Sequence, residues 1–222
     1  MVPEQNLVIT AYYDYTNQLF KSGRYDQALR DNGLIPVNPS LPSPSVERVF
    51  NTEFSIMTAV RLFFQPKSFL KKQINSFLSL YHQYHLIGLQ IRMGSGGADF
   101  RDTHKFLRMS SLQRFVHYAE EYRLYQGYKE DEVKWFLSTD SSEVERNLTI
   151  SFPGRVIVAS AYSRGHSAQQ KANINAFNRA VIDVSILSHC EYMILTNHSS
   201  FGMVARMISS NPVFAIVPAI GY

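Results

Sequence analysis

The chain has 222 residues, 45% of them hydrophobic and 18% charged, the balance of a globular protein long enough to bury a core without covalent staples. One cysteine, Cys190, rules out an internal disulfide and fits a reducing compartment, and no Cys/His grouping has metal-ligand spacing. A net charge of +4 arrives without a basic run or a basic-aromatic repeat, so nucleic acid is not indicated, and no stretch reaches the roughly 18 apolar residues of a membrane span.

The first residues, MVPEQNLVITAYYDY, lack the basic and apolar regions of a signal peptide. The expectation is a cytoplasmic protein, or a piece whose targeting segment has been removed. TNQLFKSGRYDQALRDNG (16–33) reads as a helix or helix pair stopped at Gly33, and IPVNPSLPSPS (35–45) as a proline-rich loop. FNTEFSIMTAVRLFF (50–64) reads as a helix with Thr52 as its cap, and Pro66 either stops it or begins the next one. SFLKKQINSFLSLYHQY (68–84) sets Phe69, Leu70, Ile74, Phe77, Leu78 and Tyr81 on one helical face.

From Leu86 the rhythm shortens. Apolar runs predict strands at 86–91, 134–139, 155–159, 192–196 and 213–217. Helical patterns lie between them at 110–125 (Leu112, Phe115, Ala119 and Tyr122 inward), 141–148, 167–190 and 200–210. The long pattern at 167–190 offers Ile174, Phe177, Val181, Val184, Ile186 and Leu187 as its inner face. Near-continuous apolar strands alternating with helices predict an α/β fold, a Rossmann-like parallel sheet flanked by helices, preceded by a helical segment. The division expected is 1–84, helical, and 85–222, the sheet domain.

In an open parallel sheet, ligands bind beyond the carboxyl ends of the strands, and three of those ends are polar. The first is Arg92, followed by MGSGG (93–97). Its planar fork of donors suits a diphosphate, and the glycines let backbone approach a ligand; the other reading is an arginine that caps a helix or pairs with Asp99 or Asp102. The second is Asp140, either a helix N-cap or an acceptor for a base edge or ribose hydroxyls. The third is LTNHSSFG (195–202), where the free amides and dipole of a helix start, with the Ser199 and Ser200 hydroxyls, form an anion site; the other reading is a capping box without a ligand, for which Ser200 suffices. The glycines do not fit the GxGxxG fingerprint, which sets hydride-transfer and kinase readings aside. Residues 61–123 hold ten Lys/Arg against four acids, read either as attraction for an anion or as solvated helix faces. Together the three strand ends suit a nucleoside diphosphate, with phosphates between Arg92 and 199–202 and the base or ribose toward Asp140.

The segments LIGLQIRMG, WFLSTDSSEVERNL and DVSILSHCEYMILTNHSSFGMVARMI, in this order, resemble the three motifs of GDP-fucose-dependent fucosyltransferases. QIR followed by SSFG and VA looks most like the α1,2 group of the xyloglucan type, and FNTEFSIMTAVRLFFQPKSFLKKQINSF resembles the helical stretch before its first motif. The resemblance implies a GT-B enzyme that transfers L-fucose from GDP-fucose to a glycan or protein acceptor with inversion, without metal or other cofactor. It places 85–222 as the nucleotide-sugar domain and 1–84 as a remnant of the acceptor-side domain and linker. It implies Arg92 on the β-phosphate as the catalytic residue, Asp140 on guanine or ribose, and Ser199, Ser200, Phe201 and Gly202 around the diphosphate. Gln90, Tyr162, Arg164, His166, Asn197 and His198 are further candidates near the donor. The family motif reads H-x-R-x-G-D; here Gln90 and Ser95 replace its histidine and acid, so no general base is named. A Golgi lumen is implied by the resemblance alone, and there the sequons at Asn147 and Asn197 would be glycan acceptors. The other reading is a non-catalytic module, derived from such an enzyme, that binds a GDP-sugar or a partner.

Overall fold

The computed structural model describes residues 64–95, 97–98, 102, 104–159, 162, 174–210 and 213–219. The helix expected at 16–33, the loop 35–45, nearly all of 50–64 with its Thr52 cap, and residues 167–173 lie outside the described residues. The chain divides into Met1–Thr58 and Ala59–Tyr222, and the described elements all belong to the second unit.

That unit begins with helix α1 (Ser68–Leu80) and strand β1 (His85–Ile91), then α2 (Leu112–Gln126) and β2 (Val133–Thr139). It continues with α3 (Ser142–Ser151), β3 (Val156–Ile157), α4 (Ile174–Ser188), β4 (Tyr192–Thr196), α5 (Ser200–Ile208) and β5 (Phe214–Val217). The five strands form one sheet in the order β3-β2-β1-β4-β5. Every pairing is parallel; β1 runs beside β2 from His85↔Val133 to Ile91↔Thr139 and beside β4 from Ile87↔Tyr192 to Gln90↔Leu195. The chain leaves β1 toward one edge and later returns to build the other, so the loops after β1 and β4 part over a crevice. Crevices of this kind are where ligands bind in such sheets.

Alternation along the strands fills two cores. Ile87, Leu89, Ile91, Trp135 and Leu137 pack against Phe115 and Ala119 of α2 and Val144 and Leu148 of α3. Leu86, Phe136, Met193 and Leu195 pack on the opposite face against Leu70 and Ile74 of α1 and the inner side of α4. Each such side chain contributes ~1.5–3 kcal/mol by leaving water. Helix α1 thus completes the second core, although the sequence alone sets it in the preceding segment. Gly88 lets α4 press on β1: a Cβ there would sit 2.8 Å from Leu187 Cδ2 and 3.2 Å from Cys190 Sγ.

Several expectations need correction. The strand expected at 155–159 shortens to Val156–Ile157, because Arg155 belongs to the preceding turn, its amide donating to Phe152 O at 3.2 Å. The Arg155 guanidinium lies 4.3 Å over the Trp135 ring and pairs with Glu120 and Glu130. Ile174 and Phe177 are 65% and 58% exposed rather than inward, as Ala176, Asn178 and Arg179 take the buried side of the first turns of α4. Phe69 of α1 is likewise exposed. From Val181 to Leu187 the expected burial holds without interruption, as α4 lies between the sheet and the helices α1 and α5.

Candidate functional site

The crevice is built on Arg92, the residue after β1. Its amide donates to Thr196 Oγ1 at 3.0 Å, and that hydroxyl donates to Gln90 O at 2.9 Å. The Gln90 side chain completes the latch, its Oε1 accepting from the Thr196 amide at 3.2 Å. Arg92 therefore sits on the same rim of the sheet as the end of β4 and the turn that follows it. Gln90 is buried and binds across the sheet, not toward solvent.

The guanidinium meets two carboxylates. Arg92 NH2 pairs with Asp102 Oδ2, and Arg92 Nε lies 3.3 Å from Asp140 Oδ2. The ring of Phe106 stands 5.6 Å from the guanidinium carbon. Of the two readings the sequence leaves open, the pairing with Asp102 is present. Asp102 reaches Arg92 because the chain turns back on itself: Ser95 N donates to His104 O at 2.8 Å and Phe106 N to Met93 O at 3.1 Å. Gly94 makes this return possible with a φ of 61°, and a Cβ there would fall 2.1 Å from His104 O.

Asp140 does not cap α3. Ser141 does, its Oγ accepting from Val144 N at 3.4 Å. Asp140 instead turns its carboxylate onto the first strand end, accepting from Met93 N at 2.8 Å and Gly94 N at 2.9 Å. Burial pushes this carboxyl above its ordinary pKa, while the two amides and the Arg92 charge pull it down, and burial prevails.

On the other side of the crevice, His198 takes a left-handed φ of 58°, its amide donating to Asn197 Oδ1 at 3.0 Å. The turn delivers α5 with Ser199 at its N-cap, where the hydroxyl makes no capping bond; Met203 N donates to Ser199 O instead. The serine-cap reading is thus not what closes this helix. Ser199 and Gly202 are buried, Phe201 is half-buried against the second core, and Ser200 is exposed. Gly202 lets the helix approach the latch, since a Cβ there would lie 2.8 Å from Gln90 Oε1. By helix geometry the amides of the first turn have no acceptor within α5, so the crevice carries their partial positive charge.

A buried polar chain joins α4 to the end of β2. Arg179 Nε donates to Asp183 Oδ1 at 2.8 Å, and Ser138 Oγ donates to Asp183 Oδ2 at 3.0 Å. Arg179 NH1 donates to Tyr162 O at 3.2 Å, and the Tyr162 hydroxyl accepts from Gln73 at 3.0 Å. This chain ties the segment after β3 to β2 and α1. Arg164 and His166 lie outside the described residues.

Sequence reasoning missed the latch role of Thr196 and the place of Phe106 beside Arg92, and met Asp102 only as an alternative partner. A threonine closing a strand beside the strand of Arg92 was the one usable signal; the rest depends on tertiary return of the chain.

No family model and no curated protein matches the sequence. Among solved structures, the fold is similar to NodZ α1,6-fucosyltransferase soaked with GDP-fucose, at 19% identity and a TM-score of 0.43, over 65% of this chain and 43% of that one. It is also similar to fucosyltransferase NodZ from Bradyrhizobium (21%, TM-score 0.42, 64% and 42%). POFUT1 in complex with GDP-fucose is a third (10%, TM-score 0.41, 68% and 46%). The chain spans less than half the length of each.

Proposed function

We propose that the chain is the nucleotide-sugar half of a fucosyltransferase of the α1,2 xyloglucan-type kind, moving L-fucose from GDP-fucose to a glycan or protein acceptor with inversion. The observation that carries this reading is the meeting of two motif segments in one crevice: Arg92 after β1 is latched to Thr196, which opens the turn into α5. Residues 85–222 would hold the donor, with α1 packed on the same sheet, and the residues before α1 would belong to the linker and acceptor side. Golgi-lumenal residence follows from the motif resemblance; among the described residues no helix is long and apolar enough to cross a membrane.

The chemistry needs charge stabilisation more than a strong base. As the bond from the fucose anomeric carbon to the β-phosphate oxygen breaks, negative charge grows on the leaving GDP. Arg92 and the first-turn amides of α5 face that charge, and a fixed guanidinium with helix dipoles does the work a metal would otherwise do. Positive character builds on the sugar, and the acceptor hydroxyl attacks from the opposite face. Asp140 supports the arginine by fixing the 92–94 turn, with both carboxylate oxygens already engaged on that turn.

A second reading, a module that binds a GDP-sugar without transfer, is favoured by one observation: two carboxylates already face the Arg92 charge. Thermal shifts with GDP, GDP-fucose, ADP and UDP, followed by transfer assays on a glycan array, separate the two. Stabilisation by guanine nucleotides above the others, with label transferred, is the expected result. Binding without hydrolysis or transfer selects the second reading, and no response to any guanine nucleotide removes both. Arg92→Ala should weaken donor or transition-state binding by about 2–3 kcal/mol, the size of a lost charge-assisted contact. Unchanged donor affinity and rate in that variant would end the role given to Arg92.

A further inference from the structure

A guanidinium that faces two carboxylates is not, as it stands, a receptor for a phosphate: with both acids ionised, the group carries a net negative charge. One of the acids must yield, and the geometry distinguishes them. Both carboxylates are buried, with side chains 5% and 7% exposed at Asp140 and Asp102, but Asp140 also holds the amides of Met93 and Gly94, so moving it would undo the turn that presents Arg92. Asp102 sits on the returning arm, where Oδ2 pairs with Arg92 and Oδ1 accepts from His104 N at 3.3 Å. The backbone bonds that close the return, Ser95 to His104 and Phe106 to Met93, do not use its carboxylate. Turning its side chain away would leave those two backbone bonds in place.

We propose that Asp102 is a built-in competitor that occupies the place of a ligand phosphate on Arg92, and so determines which anions the crevice accepts. This rests on the reading of Arg92 as a diphosphate contact and adds a selectivity to it. The fork of a guanidinium fits a carboxylate and a phosphate alike, so the exchange is decided by charge and by second contacts. A singly charged anion gains nothing by replacing a carboxylate of equal charge that is already in position. A diphosphate brings more charge, and it also reaches the opening turn of α5, which Asp102 does not serve. The crevice is thereby closed to weak anions and open to diphosphates.

Isothermal titration with inorganic pyrophosphate and with orthophosphate, on wild type, Asp102→Asn and Arg92→Ala, tests this. Asp102→Asn should bind pyrophosphate about tenfold more tightly than wild type, the scale of one charge-assisted contact, and should gain measurable orthophosphate binding. Arg92→Ala should bind neither. Equal or weaker pyrophosphate binding by Asp102→Asn means that the carboxylate orients the arginine instead, and overturns the proposal, as does absence of pyrophosphate binding in all three proteins. A measurement on wild type guards against a variant that misfolds. Saturation with pyrophosphate should speed hydrogen exchange at the His104 amide while Met93 and Gly94 keep their protection, and unchanged His104 protection overturns the proposal equally. Comparing GDP with ADP in the same titrations keeps the two ideas apart. Tighter pyrophosphate binding by Asp102→Asn without guanine preference sinks the nucleotide-sugar reading alone, and guanine preference without that gain sinks the role of Asp102 alone.

Discussion

A buried carboxylate beside an arginine invites the description of a salt bridge, yet at Asp140 the backbone contacts are the shorter ones. Its oxygens stand 2.8 and 2.9 Å from two amides and 3.3 Å from Arg92 Nε. Asparagine there would accept from one amide and set its own donor against the other, so Asp140→Asn should cost about 2–3 kcal/mol in chemical denaturation. The pH dependence has a definite sign. Because burial raises this carboxyl in the fold, its contribution is fully present below the ordinary carboxylate value and is lost as pH rises through the raised one. The advantage of wild type over the variant should therefore shrink upward from about pH 4. An advantage that grows with pH would mean that amides and arginine outweigh burial.

Elements in this fold are positioned by a few close approaches. Gly94→Ala places a Cβ against backbone at 2.1 Å and demands a φ of 61° from an L residue, so the return carrying Asp102 should not close. The expected result is a loss of at least ~2 kcal/mol with loss of exchange protection at Ser95 and Phe106. Gly202→Ala meets the end of a side chain, Gln90 Oε1 at 2.8 Å, and should cost less, about 1–3 kcal/mol, by easing α5 off the latch. Equal costs at the two positions would show that the Gln90–Thr196 latch is as unyielding as backbone. The strands and their polar ends were legible because apolar runs and the residues that stop them are local. Asp102 on Arg92 was legible only as one alternative beside Asp99, since a chain that doubles back across ten positions writes no period. Nor was the true cap of α3: Asp140 and Ser141 are both good caps, and only the pull of the Met93 and Gly94 amides assigns the serine to the helix. Ile174 and Phe177 matched the helical face by spacing but stand on the exposed side of α4, opposite the buried Ala176, Asn178 and Arg179.

At the scale of the whole sheet unit, the two cores share their strands, β1 at the centre. Ile87, Leu89 and Ile91 of β1 face α2 and α3, while Leu86 and Gly88 of the same strand face α4, so neither core can be lost without breaking β1. Two natural probes stand on opposite faces. Trp135, the single tryptophan, is fully buried in the first core. Cys190, the single cysteine, is 2% exposed in the second, and burial together with nearby Glu191 pushes its thiol well above the ordinary value, so it should resist thiol reagents until the fold opens. If β1 couples the faces, the unit unfolds as one cooperative body, and Trp135 fluorescence and Cys190 labelling should give the same urea midpoint. Midpoints apart by more than about 0.5 M, or Cys190 labelled in native buffer at the rate of a free thiol, would show that α4 and α1 lift from the sheet on their own. The crevice would then rest on the first core alone, because the Arg179–Asp183–Ser138 chain that joins α4 to β2 would be broken in the same event.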